Sequence, residues 1–161
     1  MTDAVDPKDI KSVIGLLVDP TKSDREVAIV ALAYIEDHLG RAIRSKMPGL
    51  TSDVRDKLFS PSGALSPMGA RIDLAKALGL IDSKDRSDFI ILARVRNRFA
   101  HNVNIESFDH PEISELTQKL HLVNDLMSGQ GKFQGGGVPP AKFVENFGGP
   151  PRNRFLLAAL T

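Results

Sequence analysis

Hydrophobic residues recur every three or four positions along most of the chain, which is the spacing of amphipathic helices. The first such stretch covers residues 10–17 and ends at Asp19-Pro20. Residues 23–26, Ser-Asp-Arg-Glu, then have the sequence of a capping box. In the long helix that follows, apolar positions cover more than one face as far as Ile35. We therefore expect the first half of this helix to be buried.

Cap residues and periodicity predict four further helices, over about residues 51–59, 66–79, 82–101 and 109–127. No run of alternating apolar residues lies between turn dipeptides, so the sequence gives no reason to expect a sheet. The pattern predicts an all-α protein, an up-and-down bundle of four to five helices.

The character of the sequence changes at Gly129, where glycine and proline begin to cluster. We predict a helical domain over residues 1–128 and a Gly/Pro-rich tail over 129–161. Residues 152–160 can form about two helical turns with an apolar face, and so short a helix needs a surface to dock on. Because the apolar stripes of the bundle end at Met127, the tail is expected to be dispensable for folding.

Composition narrows the classes of function. The 161 residues carry a net charge of +1 and no cysteine. This charge is far from the strongly basic balance of a dedicated DNA-binding domain, and disulfides, thiolate metal sites and a cysteine nucleophile are excluded. The N-terminus has no signal-peptide pattern and no apolar run is long enough to span a membrane. We expect a cytoplasmic protein with neither metal nor other cofactor.

The stretch FIILARVRNRFAH, residues 89–101, has two unlike faces. At about 100° per residue, one narrow arc is fully apolar and is the expected core face; it holds Ile91, Leu92, Val95 and Phe99. The opposite side is half apolar, and we expect a second copy of the chain to cover it; it holds Ile90, Ala93, Asn97 and His101. The sequence therefore predicts a homodimer.

The same helix carries the one group of residues with a chemical logic, Arg96, Asn97 and His101. An arginine can hold a phosphate and a histidine can transfer a proton, which together suit metal-independent cleavage of RNA by its own 2′-hydroxyl. However, a spacing of five residues puts Arg96 and His101 about 140° apart on a helix, so two copies would have to complete the site. The alternative is structural: both residues pair with carboxylates or cap the helix end, and the partner of Arg96 would be a carboxylate such as Asp73 or Asp88.

Four other residues are candidates for a binding or interface role: Ile90, Arg94, Arg98 and Arg71. Arg71 stands in an otherwise apolar helix, where a buried guanidinium would need a partner. It is expected either to face solvent or to brace a loop.

The hexapeptide Arg-Asn-x-x-x-His at 96–101 resembles the signature of the HEPN superfamily, whose nuclease members use an arginine, a polar residue and a histidine in a helical dimer. A wider run resembles the mannitol operon repressor family over residues 23–127, on the segments SDREVAIVALAYIEDHL, FSPSGALSPMGARIDLAKALGLI, LARVRNRFAHN and SFDHPEI. The second resemblance implies a bacterial, all-helical, dimerising protein without a recognisable DNA-binding motif.

Two functions remain open. The first is a non-enzymatic transcriptional regulator of a mannitol operon that binds another regulatory protein, which the near-neutral charge favours. The second is a metal-independent ribonuclease or RNA-binding module with Arg96, Asn97 and His101 as its catalytic residues. A dimer in which both copies of the motif line one basic cleft would favour the ribonuclease, whereas a buried His101 paired with a carboxylate would exclude it.

Overall fold

The computed structural model describes residues 13–17, 19–129 and 149–160. All regular structure in these ranges is helical, which confirms the predicted all-α bundle. Besides the helical residues 13–17, the described helices are α1 (Asp24–Ser45), α2 (Ser52–Phe59), α3 (Met68–Ala77), α4 (Ser83–His101), α5 (Pro111–Gln118), α6 (His121–Met127) and α7 (Pro151–Leu160). The likeness to the HEPN superfamily stays a prediction.

The start of α1 has the predicted capping box. The Ser23 side chain accepts a hydrogen bond from the backbone N–H of Glu26, and the Glu26 carboxylate accepts one from the N–H of Ser23 at 2.9 Å. These two bonds satisfy backbone donors that have no partner within the helix. Burial along α1 then continues as far as Ile43, well beyond the half of the helix in which the sequence predicted it.

The central helix is α4, which packs against α1, α3, α5, α6 and α7. Its predicted core face is confirmed, because all four residues of that arc are buried: Ile91, Leu92, Val95 and Phe99. The Phe99 ring meets that of Phe108 at 5.0 Å between centroids, and Phe108 meets Phe155 of α7 at the same separation. This chain of three aromatic rings joins the middle of the bundle to the terminal helix.

The predicted last long helix is divided into α5 and α6. Leu120 between them is extended, with ψ of 115°, and its side chain is fully buried. The buried carboxylate of Asp88 on α4 accepts hydrogen bonds at 2.8 Å from the backbone N–H groups of His121 and Leu122. A helix start is thus capped by a residue 33 positions earlier in the chain, a contact that local sequence signals do not reveal.

The expectation that the apolar stripes end at Met127 is wrong. In α7, Phe155 is fully buried and Leu156, Leu157 and Ala159 are nearly so. The helix packs against α1, α4, α5 and α6. The predicted domain boundary at residue 128 and the Gly/Pro-rich tail stay predictions, since residues 130–148 lie outside the described part. Within the described residues, no helix has the length and apolarity required to cross a membrane.

These contacts predict that α7 is needed for stability. Phe155→Ala should lower the free energy of unfolding by about 3–5 kcal/mol, the usual cost of emptying an aromatic core site. Leu160→Ala is the matched control, since Leu160 in the same helix is 36% exposed, and should cost under about 1 kcal/mol. Urea unfolding curves measure both values. Equal midpoints for Phe155→Ala and the wild type would show that α7 does not belong to the cooperative core.

Candidate functional site

A groove of about 620 Å³ runs along the exposed side of α4 near its C-terminal end. It is lined by Arg94, Asn97, Arg98 and His101 of α4, by Asn102 just after it, and by Leu116 of α5. The structure therefore brings four of the seven sequence-predicted site residues into one concave surface. The other three, Arg96, Arg71 and Ile90, lie elsewhere.

The groove carries more positive than negative charge. Within the described residues, the Arg94 guanidinium has no hydrogen bond or ion pair, and neither has the exposed His101 imidazole. Arg98 is paired with Glu112 at 3.3 Å, but both side chains are about half exposed. Such exposed pairs contribute about 0–1 kcal/mol, so an anionic ligand can displace Glu112 at small cost. The arrangement suits an anion presented together with a small apolar contact to Leu116.

Arg96 points away from this groove. Its Nη2 donates to Oε1 of Glu36 on α1 at 2.8 Å, and the two side chains are 29% and 30% exposed. The suggested partners Asp73 and Asp88 are wrong, because Asp73 binds Arg86 at 2.7 Å and Asp88 caps α6. The i, i+5 spacing thus separates Arg96 from His101 as helix geometry requires.

Arg71 and Ile90 contact other parts of the fold rather than the groove. The Arg71 Nε donates to the carbonyl of Leu65 at 2.6 Å and its Nη1 to the carbonyl of Glu36 at 3.1 Å. This arginine therefore braces the loop before α3, as one of its two readings predicted. Ile90 is partly buried against the core, so its accessible surface is small.

The backbone beneath the groove is fixed by Arg25, a residue whose role the sequence analysis missed. Its guanidinium donates to the carbonyl of Phe99, to that of Asn102 at 3.2 Å and to that of Ile105 at 3.0 Å. These bonds satisfy the Phe99 carbonyl, which the end of α4 leaves without a helical partner, and hold two carbonyls of the loop that follows. One signal could have revealed the role: a cation in the first turn of a helix is disfavoured by the dipole, and so calls for a distant partner.

The neighbouring Asp24 extends the same anchor. Its Oδ2 accepts from the backbone N–H of Phe108 at 2.7 Å, and its Oδ1 pairs with Arg152 of α7 at 2.7 Å. The first turn of α1 is thereby joined to the loop after α4 and to the start of α7. Contacts with α1 and, through Asp24, with α7 therefore hold the backbone beneath the groove.

Two pKa shifts accompany contacts that hold the fold together. Hydrogen bonds from Ser23 lower the pKa of Glu26 in the capping box. Burial lowers the pKa of Arg154 in α7, whose guanidinium donates to the carbonyl of Thr117 at 3.1 Å. Among the described residues, no cluster of histidine and carboxylate side chains could hold a metal ion.

Comparison with known proteins gives one match. A family model described as "Mannitol repressor" matches residues 39–134, which include every residue that lines the groove. Neither the curated proteins nor the solved structures contain a match.

The Arg96–Glu36 contact predicts an energetic coupling between α4 and α1. In a double-mutant cycle of Arg96→Ala and Glu36→Ala, we expect a coupling energy of about 0.5–1 kcal/mol, the range for an ion pair that water still reaches. Unfolding of the two single variants and the double variant in urea measures this energy. The control cycle combines Arg94→Ala with Glu36→Ala and should show no coupling. Equal values in both cycles would contradict the structural role of Arg96.

Proposed function

The chain belongs to the mannitol repressor family, and from that premise we propose that it is a cytoplasmic transcriptional regulator of a mannitol operon. We propose further that it works as a homodimer and through contact with another regulatory protein, without reading DNA itself. The observation that carries this proposal is the cationic groove on α4, whose Arg94 and His101 have no partner within the described residues.

The chemistry of the groove favours an acidic protein segment as ligand. Arginine forks bind carboxylates with two parallel hydrogen bonds, and Leu116 adds an apolar contact at the groove wall. A volume of about 620 Å³ admits a few side chains of an extended segment. Operator DNA is a poorer fit, because duplex binding commonly rests on six to ten phosphate contacts, and the chain has 21 basic against 20 acidic residues.

The outer side of α4 offers a surface for the second copy. Ala93, Asn97 and Ala100 lie on one face of the helix, next to the groove, and two of the three have minimal side chains. Small residues allow two helices to approach closely. Two copies that meet through this face would bring their grooves side by side.

Light scattering at tens of micromolar should give about twice the 17.5 kDa of one chain. Ala100→Arg should give the monomer mass, because an added charge and bulk on an exposed position blocks helix contact without disturbing the core. Ala77→Arg changes another exposed alanine, at the end of α3; it is the control and should leave the mass doubled. A wild type of single-chain mass would contradict the dimer.

Neutralising the groove should relieve repression. In cells that lack the native copy, Arg94→Gln combined with Arg98→Gln should raise mannitol-operon transcripts to about the level without regulator, since an acidic segment loses both guanidinium partners. Lys46→Gln, an exposed cation beyond the end of α1, should repress normally. Quantitative reverse-transcription PCR at matched protein abundance measures the effect. Normal repression by the double variant would contradict a regulatory role for the groove.

A second test separates protein contact from DNA binding. Purified wild type alone should not retain operator DNA in a gel at physiological salt, because the proposed partner protein supplies the DNA contact. Sequence-specific retention by the purified chain would contradict that part of the proposal.

A ribonuclease is the second candidate, and the exposure of His101 favours it. The imidazole lies in the same groove as Asn97, Arg94 and Arg98, with no carboxylate partner among the described residues. Because Arg96 is paired with Glu36, the phosphate would be held by Arg98 or Arg94. The test is RNA incubated with EDTA: cleavage lost in His101→Ala but kept in His121→Ala supports this candidate. Intact RNA with wild-type protein excludes it.

A further inference from the structure

A second cleft, of about 400 Å³, lies where α1 nears its end beside α2. It is lined by Arg44 of α1 and by Arg55, Asp56, Phe59 and Ser60 at the end of α2. It shares no lining residue with the groove on α4, and the proposed function makes no use of it.

Arg44 is held in place but has no anionic partner in the described part of the chain. Its guanidinium lies over the Phe59 ring, 5.3 Å from the centroid, and it takes part in none of the hydrogen bonds or ion pairs there. A Cβ atom at Gly40, one turn earlier, would lie 3.2 Å from the Arg44 Nη1, so the glycine adds free space beside this guanidinium.

The opposite wall of the cleft is rigid. The loop after α2 folds back on the helix end, with Leu65 N–H donating to the carbonyl of Leu58 at 2.8 Å. A side chain at Gly63 would come within 2.3 Å of that carbonyl oxygen, so this tight return requires glycine. The Arg71 guanidinium donates to the Leu65 carbonyl and also lies over the Phe59 ring, 5.7 Å from its centroid. The cleft is therefore preformed.

We propose that this cleft binds a small organic phosphate monoester. The guanidinium groups of Arg44 and Arg55 and the hydroxyl of Ser60 give three donor groups for the three terminal phosphate oxygens. Asp56 also lines the cleft, but its carboxylate is paired with the Arg55 Nε at 3.0 Å, which leaves the two terminal nitrogens of that arginine to donate. Phe59 supplies an apolar wall for the organic part of the ligand.

The test uses phenyl phosphate, inorganic phosphate and benzoate as probes, with binding followed by backbone amide chemical shifts of the full chain. Phenyl phosphate should bind most tightly, because only this probe combines three terminal oxygens with an apolar ring. The amide signals of Arg55 and Ser60 should shift. Arg44→Gln and Arg55→Gln should each weaken binding about tenfold or more, the loss of one charge-assisted hydrogen bond.

Two controls locate the binding. Lys84→Gln removes an exposed cation of α4 that lines neither cleft and should leave phenyl phosphate affinity unchanged. Arg55 is half exposed, so Arg55→Gln keeps the test valid if Arg44→Gln perturbs the packing of Phe59. Absence of binding, equal affinity for benzoate and phenyl phosphate, or unaltered affinity in both cleft variants would overturn the proposal. None of these results depends on whether the groove on α4 binds a protein.

Discussion

The position of the groove depends on one side chain, Arg25, which reaches from the start of α1 to the end of α4. Its guanidinium donates hydrogen bonds to the carbonyls of Phe99, Asn102 and Ile105, which lie at or just after the end of the helix. No further helical N–H groups are available there. Buried carbonyls without partners would cost about 1–3 kcal/mol each. A guanidinium carries five N–H donors in a fixed fork and can satisfy several carbonyls at once. The end of α4 is therefore fixed by a residue more than 70 positions away in the sequence.

Eight of the arginines fall into two groups according to the partners that they have. Arg25, Arg71 and Arg154 bind backbone carbonyls, and Arg96 binds a carboxylate across two helices. Arg44 and Arg94 have no anionic partner in the described residues, and Arg98 and Arg55 have only exposed ones. A guanidinium whose donors are taken up by the fold has fewer left for a ligand. The arginines of the second group are therefore the ones available to bind a ligand.

Local sequence signals predicted the helices, the capping box and the core face of α4, because each follows from the periodicity or cap chemistry of adjacent residues. They predicted a short helix over residues 152–160, but not that it completes the core with a fully buried Phe155. They also missed the break at Leu120, which depends on Asp88 of another helix. For the site, helix geometry correctly separated Arg96 from His101 and grouped Asn97 with His101. Helix geometry could not predict that Leu116 lines the groove, because Leu116 belongs to a different helix, α5.

Contacts with Glu36 explain why Arg96 and Arg71 do not line the groove. Its carboxylate accepts from Arg96 and its backbone carbonyl accepts from Arg71, so one residue of α1 takes a guanidinium from α4 and another from α3. Neither contact can be inferred from spacing, since the partners are 60 and 35 positions away. With Arg96 engaged on the α1 side, the only arginines of α4 that line the groove are Arg94 and Arg98. An Arg-Asn-x-x-x-His motif in one chain therefore presents its asparagine and histidine, but not its arginine, to a ligand in this groove.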